Sequence, residues 1–124
     1  MCWRTTSVWP GIGPAPEKLL RDGLAISPVT MVELAAAFDG DQADQKNFLD
    51  QAGIAHHEAW TAADTEAAHA AWHAYVLARR SQQIPRRPVA DLLIGGFATN
   101  RQGLITRNAA DFRRWFPKLV IREP

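Results

Sequence analysis

The stretch GLITRNAADF, residues 103–112, joins two kinds of secondary structure within a few residues. Its first part, GLIT, is a short apolar run of the kind that forms a strand buried on both faces. Its second part, NAADF, is typical of a helix start, with Asn108 in the N-cap position. The junction between them carries four polar side chains: Thr106, Arg107, Asn108 and Asp111. The stretch therefore predicts a β-α unit whose strand end is polar.

A similar unit lies earlier in the chain. The run LAIS (24–27) precedes Pro28, which is well tolerated at the first position of a helix. Short apolar strands that alternate with helices are typical of parallel β-α units. The sequence thus predicts an α/β fold with a central parallel sheet. Further helices are predicted over 28–38, 42–52, 61–81 and 88–102, and further strands over 103–106 and 118–123.

Length and composition favour one soluble domain spanning residues 1–124, because 47% hydrophobic residues suffice for one core. We find no apolar run of about 18 residues, so the sequence predicts no membrane segment. The one cysteine, Cys2, excludes an internal disulfide and fits a reducing compartment. We therefore expect a cytoplasmic protein.

Charge is distributed unevenly along the chain. Residues 1–78 contain 4 Lys/Arg and 10 Asp/Glu, whereas residues 79–124 contain 10 Lys/Arg and 3 Asp/Glu. A basic segment of this kind indicates a polyanionic partner such as RNA. The alternative is a solvated face with cations at helix C-termini, and the sequence leaves both open.

Three acids, Glu33, Asp91 and Asp111, lie near predicted helix starts. Each has a structural explanation: Thr30-x-x-Glu33 fits a capping box, Asn108 fits an N-cap before Asp111, and Asp91 complements a helix dipole. Asp91, however, belongs to a helix that is apolar nearly all round, and a buried carboxylate requires a partner. Carboxylate clusters that hold Mg²⁺ or Mn²⁺ are suited to phosphodiester hydrolysis.

The histidines raise the separate possibility of a zinc site. His56 and His57 are adjacent, and His69 and His73 share one helix face. Neither pair has a cysteine or acid that completes a ligand set in the sequence, so polar helix flanks are the favoured interpretation.

Three segments together resemble a known family. ISPVTMVELAAAF (26–38), PVADLLIGGFATNRQGLITRNAADF (88–112) and KLVIREP (118–124) are similar to a PIN domain, most closely of the VapC toxin type. The resemblance implies a three-layer α/β/α sandwich around a central parallel sheet. It also implies a Mg²⁺- or Mn²⁺-dependent endoribonuclease of a bacterial toxin–antitoxin pair. Such proteins are commonly homodimers, and an antitoxin binds and blocks the acidic pocket.

The resemblance assigns roles to individual residues. The catalytic and metal-binding acids fall on Glu33, Asp91 and Asp111, with Thr106 and Asn108 supporting the pocket. We expect the basic residues to contact RNA phosphates, and Arg107 alternatively to balance the carboxylates. These residues are Arg79, Arg80, Arg86, Arg87 and Arg107.

The chain departs from the family pattern at its first acid. The family has an aspartate at the end of strand 1, and here TTSVW (5–9) places Thr5 there, followed by the matching pocket residues Thr6 and Ser7. A neutral hydroxyl is a weaker ligand for a hard cation than a carboxylate. Two functions stay open: an active ribonuclease, or a catalytically impaired PIN module that binds RNA or an antitoxin-like partner. A third interpretation is that the acids only cap helices.

Overall fold

A computed structural model describes residues 23–81 and 88–124, together with the strand Cys2–Trp3. The strands are short, and most of the described chain is helical. The strands are β1 (Cys2–Trp3), β2 (Leu24–Ala25), β3 (Ile54–Ala55), β4 (Gly103–Ile105) and β5 (Ile121–Arg122). The helices are α1 (Pro28–Glu33), α2 (Gln42–Gln51), α3 (Ala62–Ser81), α4 (Val89–Thr99) and α5 (Ala109–Trp115), with a 3₁₀ helix over Leu34–Phe38.

The five strands form one sheet in the order β3-β2-β1-β4-β5. Two pairs are parallel, β2 with β3 and β4 with β5. The central strand β1 runs antiparallel to both of its neighbours, so the sheet is mixed and the prediction of a parallel sheet is wrong at β1. The physical reason is that an apolar run indicates burial but not direction, and a two-residue strand forms few hydrogen bonds that could fix it.

The first described helix begins where the sequence predicts and ends earlier. Ser27 is the N-cap, and its Oγ accepts the backbone N–H of Thr30 at 3.0 Å. Thr30 thus lies inside the helix, and the capping box predicted for Thr30 and Glu33 is wrong. Glu33 is the last residue of α1, after which the backbone tightens into the 3₁₀ helix and turns at Asp39, whose φ is 51°.

Helices α3 and α4 pack along each other and contribute most of the main core. Trp60 stacks on Phe97 with ring centroids 6.4 Å apart, and Trp115 meets Tyr75 edge-on at 5.5 Å. Helix α5 and the segment after it cover the same core. The buried residues of this cluster are Ala71, Tyr75, Leu92, Phe97, Ala98, Leu104, Phe112 and Phe116.

Candidate functional site at the β4–α5 junction

The polar junction after β4 is held by backbone bonds on both sides. The N–H of Thr106 donates to the carbonyl of Arg122 at 3.0 Å, so pairing with β5 continues one residue past β4. Thr106 Oγ1 then accepts the N–H of Asn108 at 3.1 Å, which fixes the turn into α5. Thr106 thus shapes the turn that carries Asn108.

Asn108 joins two of the three predicted acids. Its Nδ2 donates to Asp111 Oδ2 at 3.0 Å and makes a longer contact of 3.4 Å with Asp91 Oδ2. The amide must present its NH₂ group here, because its carbonyl oxygen would face two carboxylates. The sequence predicts Asn108 as the N-cap of α5, and it does occupy that position. Its side chain, however, makes no capping hydrogen bond to the backbone.

Asp91 and Asp111 reach this junction from different helices. Both lie in a first turn, Asp91 in α4 and Asp111 in α5. Asp91 is half-buried rather than fully buried, because the buried face of α4 begins with Leu92 and continues through residues 95–98. The two acids are therefore accessible from solvent while being held next to each other.

Glu33 lies on a different helix from Asp91 and Asp111. Its side chain is exposed at the end of α1, and α1 packs against α4, the helix that carries Asp91. Within residues 23–81 and 88–124, the carboxylates of Glu33, Asp91 and Asp111 do not form a group with all ligand atoms within 4.8 Å. The structure thus brings together two of the predicted acids and places the third on a neighbouring helix.

The remaining predicted residues fall into two groups. Arg79 and Arg80 are exposed in the last turn of α3, and Arg107 is exposed in the junction itself. The others lie outside the described residues: Thr5, Thr6, Ser7, Arg86 and Arg87.

A buried ionic cluster around Asp64 is absent from the sequence-based predictions. Asp64 is fully buried, and its Oδ1 accepts from Asn100 Nδ2 at 2.9 Å and from Arg101 Nη1 at 2.8 Å. Its Oδ2 accepts the N–H of Thr61 at 3.0 Å, while its own N–H donates to Thr61 Oγ1 at 3.2 Å. Arg101 also donates through Nε to Glu58 Oε2 at 3.1 Å. The spacing Thr61-x-x-Asp64 is a capping-box pattern and is the signal that could have revealed it.

The electrostatics of this cluster keep Asp64 ionised. Burial raises the pKa of Asp64, but the hydrogen bonds from Thr61 and Asn100 and the charge of Arg101 outweigh it, so the pKa lies below its ordinary value. Both oxygens of the carboxylate accept hydrogen bonds from these partners. We assign the cluster to structure, because it ties the start of α3 to the end of α4.

Comparisons with known protein families, with curated proteins and with solved structures found no match to this chain. Among the described residues, no helix is both long enough and apolar enough to cross a membrane. The geometry of the junction and the resemblance of the three sequence segments are therefore the observations that bear on function.

Proposed function

We propose that the chain is a metal-dependent endoribonuclease with a PIN-like fold. The observation that carries the proposal is the amide of Asn108, which donates to Asp91 and Asp111 from one nitrogen. Two carboxylates from separate helices are thereby held at the end of a strand, where ligand groups gather in α/β sheets. A purely capping role explains neither the pairing nor the position of Asn108 between them.

The donors at this junction fit a hard divalent cation. Carboxylates held next to each other repel, and a divalent cation relieves that repulsion more effectively than one neutral amide can. Asp91, Asp111 and Glu33 would hold Mg²⁺ or Mn²⁺, since Glu33 is exposed on a helix that packs against α4. When bound, such an ion supplies an activated water and neutralises charge on the phosphate.

The other residues of the junction have supporting roles in this proposal. Asn108 keeps the two carboxylates at a fixed separation, and Thr106 fixes Asn108 through its backbone N–H. Arg107 is exposed in the turn next to Asn108 and would contact a phosphate of the RNA. These residues bind and orient, and the acids hold the ion.

The finer parts of the proposal follow from the family resemblance. They are the three-layer sandwich with helices on both faces of the sheet, a homodimer, and a toxin–antitoxin pair in which an antitoxin covers the acidic junction. What supports the first is the mixed α/β fold in which strand β4 leads into α5 and then into the parallel strand β5.

Substitution of Asp91 by Asn tests the proposed activity directly. We expect Asp91→Asn to lower Mn²⁺-dependent cleavage of single-stranded RNA by at least about 100-fold, because it removes a charged ligand. The matched control is Glu66→Gln, an exposed acid on α3 away from the junction, which should cleave like the unaltered chain. Circular dichroism of both variants checks that the fold is kept. Unchanged cleavage by Asp91→Asn would refute the assignment.

A second candidate function is a PIN-like binding module without catalysis, which Thr5 favours. Calorimetry with Mn²⁺ on the unaltered chain and on Thr5→Asp separates the two functions. If both proteins bind Mn²⁺ and the Asp91→Asn variant does not, the result supports the ribonuclease function. Binding that appears only with Thr5→Asp supports a module whose metal site is disarmed.

A further inference from the structure

A second group of potential metal ligands lies at the other edge of the sheet. Within the described parts of the chain, Asp50, His56 and His57 are the one set of three whose ligand atoms all lie within 4.8 Å of one another. None of the three belongs to the acidic junction, so a metal site here would be independent of the proposed function.

The local fold explains how an acid six positions earlier meets a histidine. Helix α2 ends at Gln51, and Gly53 reverses the chain with a φ of 72°. Strand β3 then runs parallel to β2, and the carbonyl of Ala55 accepts the N–H of Ile26 at 2.9 Å. The next residue, His56, is thereby returned against Asp50 in the last turn of α2.

The side chain of His56 is almost completely buried, and only one of its two ring nitrogens has a hydrogen-bond partner among the described residues. Its side chain is 2% exposed, and its Nε2 lies 2.8 Å from Asp50 Oδ1. Nε2 therefore carries the proton and donates it, since a carboxylate only accepts. Its Nδ1 is also buried, and no described residue forms a hydrogen bond with it.

An imidazole in this state is prepared to bind a metal. A buried nitrogen without a hydrogen-bond partner is unfavourable, and the lone pair on Nδ1 is the group that a metal ion would engage. A carboxylate that accepts the other ring N–H is the usual partner of a metal-bound histidine, because it fixes the tautomer and raises ligand basicity.

We propose that His56 and His57 bind a divalent transition metal, with Zn²⁺ the best match to the imidazole donors and Asp50 as the carboxylate that orients His56. Imidazole donors suit Zn²⁺ and related ions, whereas an all-carboxylate site suits Mg²⁺ or Mn²⁺. The two imidazole rings lie side by side, with centroids 3.8 Å apart. Asp50, at 65% side-chain exposure, and the exposed His57 leave the site open to solvent.

Titration of the tag-free full chain with Co²⁺, followed by visible absorption, tests this site, and competition with Zn²⁺ measures the affinity. We expect one equivalent of Co²⁺ to bind. His57→Ala and Asp50→Asn should each weaken binding at least about tenfold, because the first removes a ligand and the second removes the charge that orients His56. Both residues are exposed, so neither variant disturbs the core.

The matched control is His73→Ala, an exposed histidine on α3, which should bind Co²⁺ like the unaltered chain. Asp91→Asn should also bind Co²⁺ normally, which separates this site from the acidic junction. The absence of saturable binding would overturn the proposal. The proposal would also be overturned if His57→Ala bound Co²⁺ as tightly as the unaltered chain. It would be overturned as well if His73→Ala weakened Co²⁺ binding as much as His57→Ala does.

Discussion

At the scale of single residues, Asp64 shows how the fold holds a buried charge. The carboxylate has no solvent-exposed surface, and its three partners come from two places in the chain: Thr61, and the adjacent pair Asn100 and Arg101. Arg101 is held in turn, because its guanidinium lies 3.6 Å above the ring of Phe97. Loss of one member of such a set leaves the others desolvated without compensation.

We therefore expect Asp64→Asn to lower the free energy of unfolding by about 3 kcal/mol, because it removes the buried one of the two carboxylates that pair with Arg101. Urea denaturation at pH 7 measures this difference. Glu66→Gln, exposed on the same helix, serves as the control and should shift stability by no more than about 0.5 kcal/mol. Equal stability of the two variants would show that the cluster contributes little.

The lowered pKa of Asp64 also predicts how stability depends on pH. Because the folded state binds the proton more weakly than the unfolded state, the contribution of Asp64 is complete above its ordinary value of 3.8. It is lost as the pH falls through the lower pKa of the folded state. The stability difference between the unaltered chain and Asp64→Asn should thus shrink in urea titrations below about pH 4 and stay constant above about pH 5. A difference that does not change with pH would contradict this origin.

At the scale of elements, the packing of α3 on α4 depends on a glycine. A Cβ on Gly96 would lie 2.8 Å from Ala68 Cβ and 2.9 Å from two backbone atoms of α3, Ala68 N and Asp64 O. Backbone atoms of a packed helix cannot move aside as a flexible side chain can. Gly96 therefore sets how closely the two helices approach.

Gly96→Ala tests this close approach. Alanine favours a helix over glycine by about 1 kcal/mol, but the forced separation of α3 and α4 should cost more, since overpacking typically costs about 1–3 kcal/mol. We expect a net loss of stability and a lower midpoint in thermal unfolding. A higher midpoint would mean that helix propensity outweighs the contact and that the helices separate easily.

The elements also show what could be predicted from sequence. The 3–4 spacing in α3 predicts one buried helix face made of Ala68, Ala71, Trp72, Tyr75 and Val76. The structure buries Ala68, Ala71 and Tyr75 and packs Val76 against the core, whereas Trp72 is 38% exposed. Strand β3 was missed, since two residues without alternation carry no pattern. Long periodic elements are thus predictable, whereas short strands and their direction depend on tertiary pairing.

At the scale of the whole molecule, one candidate site could be predicted from the sequence and the other could not, because only the first lies at helix starts that the sequence shows. Asp91 and Asp111 each follow a visible helix start, so their proximity to Asn108 could be expected from β-α architecture. Asp50 meets His56 only because Gly53 and the unpredicted strand β3 fold the chain back onto α2. The histidine pair was recognised, but its acid could not be found without the three-dimensional turn.

The uneven charge of the chain leads to a prediction about RNA binding. Arg79 and Arg80 are exposed at the end of α3, where they begin the basic part of the sequence. If both neutralise phosphates, Arg79→Ala/Arg80→Ala should weaken binding of single-stranded RNA. It should also reduce the slope of log affinity against log salt by about 1.4, since each phosphate contact contributes about 0.7.

Fluorescence anisotropy over a range of salt concentrations measures that slope, and Lys46→Ala, exposed on α2 in the acidic part, is the control. The same two arginines also lie at a helix C-terminus, where cations interact favourably with the helix dipole. The alternative outcome is therefore that they stabilise the helix and do not contact RNA. In that case the double variant would lose up to about 1 kcal/mol of stability for each arginine and bind RNA with the original salt dependence. An unchanged slope would therefore assign the two cations to the helix end and shift the expected phosphate contacts to the junction around Arg107.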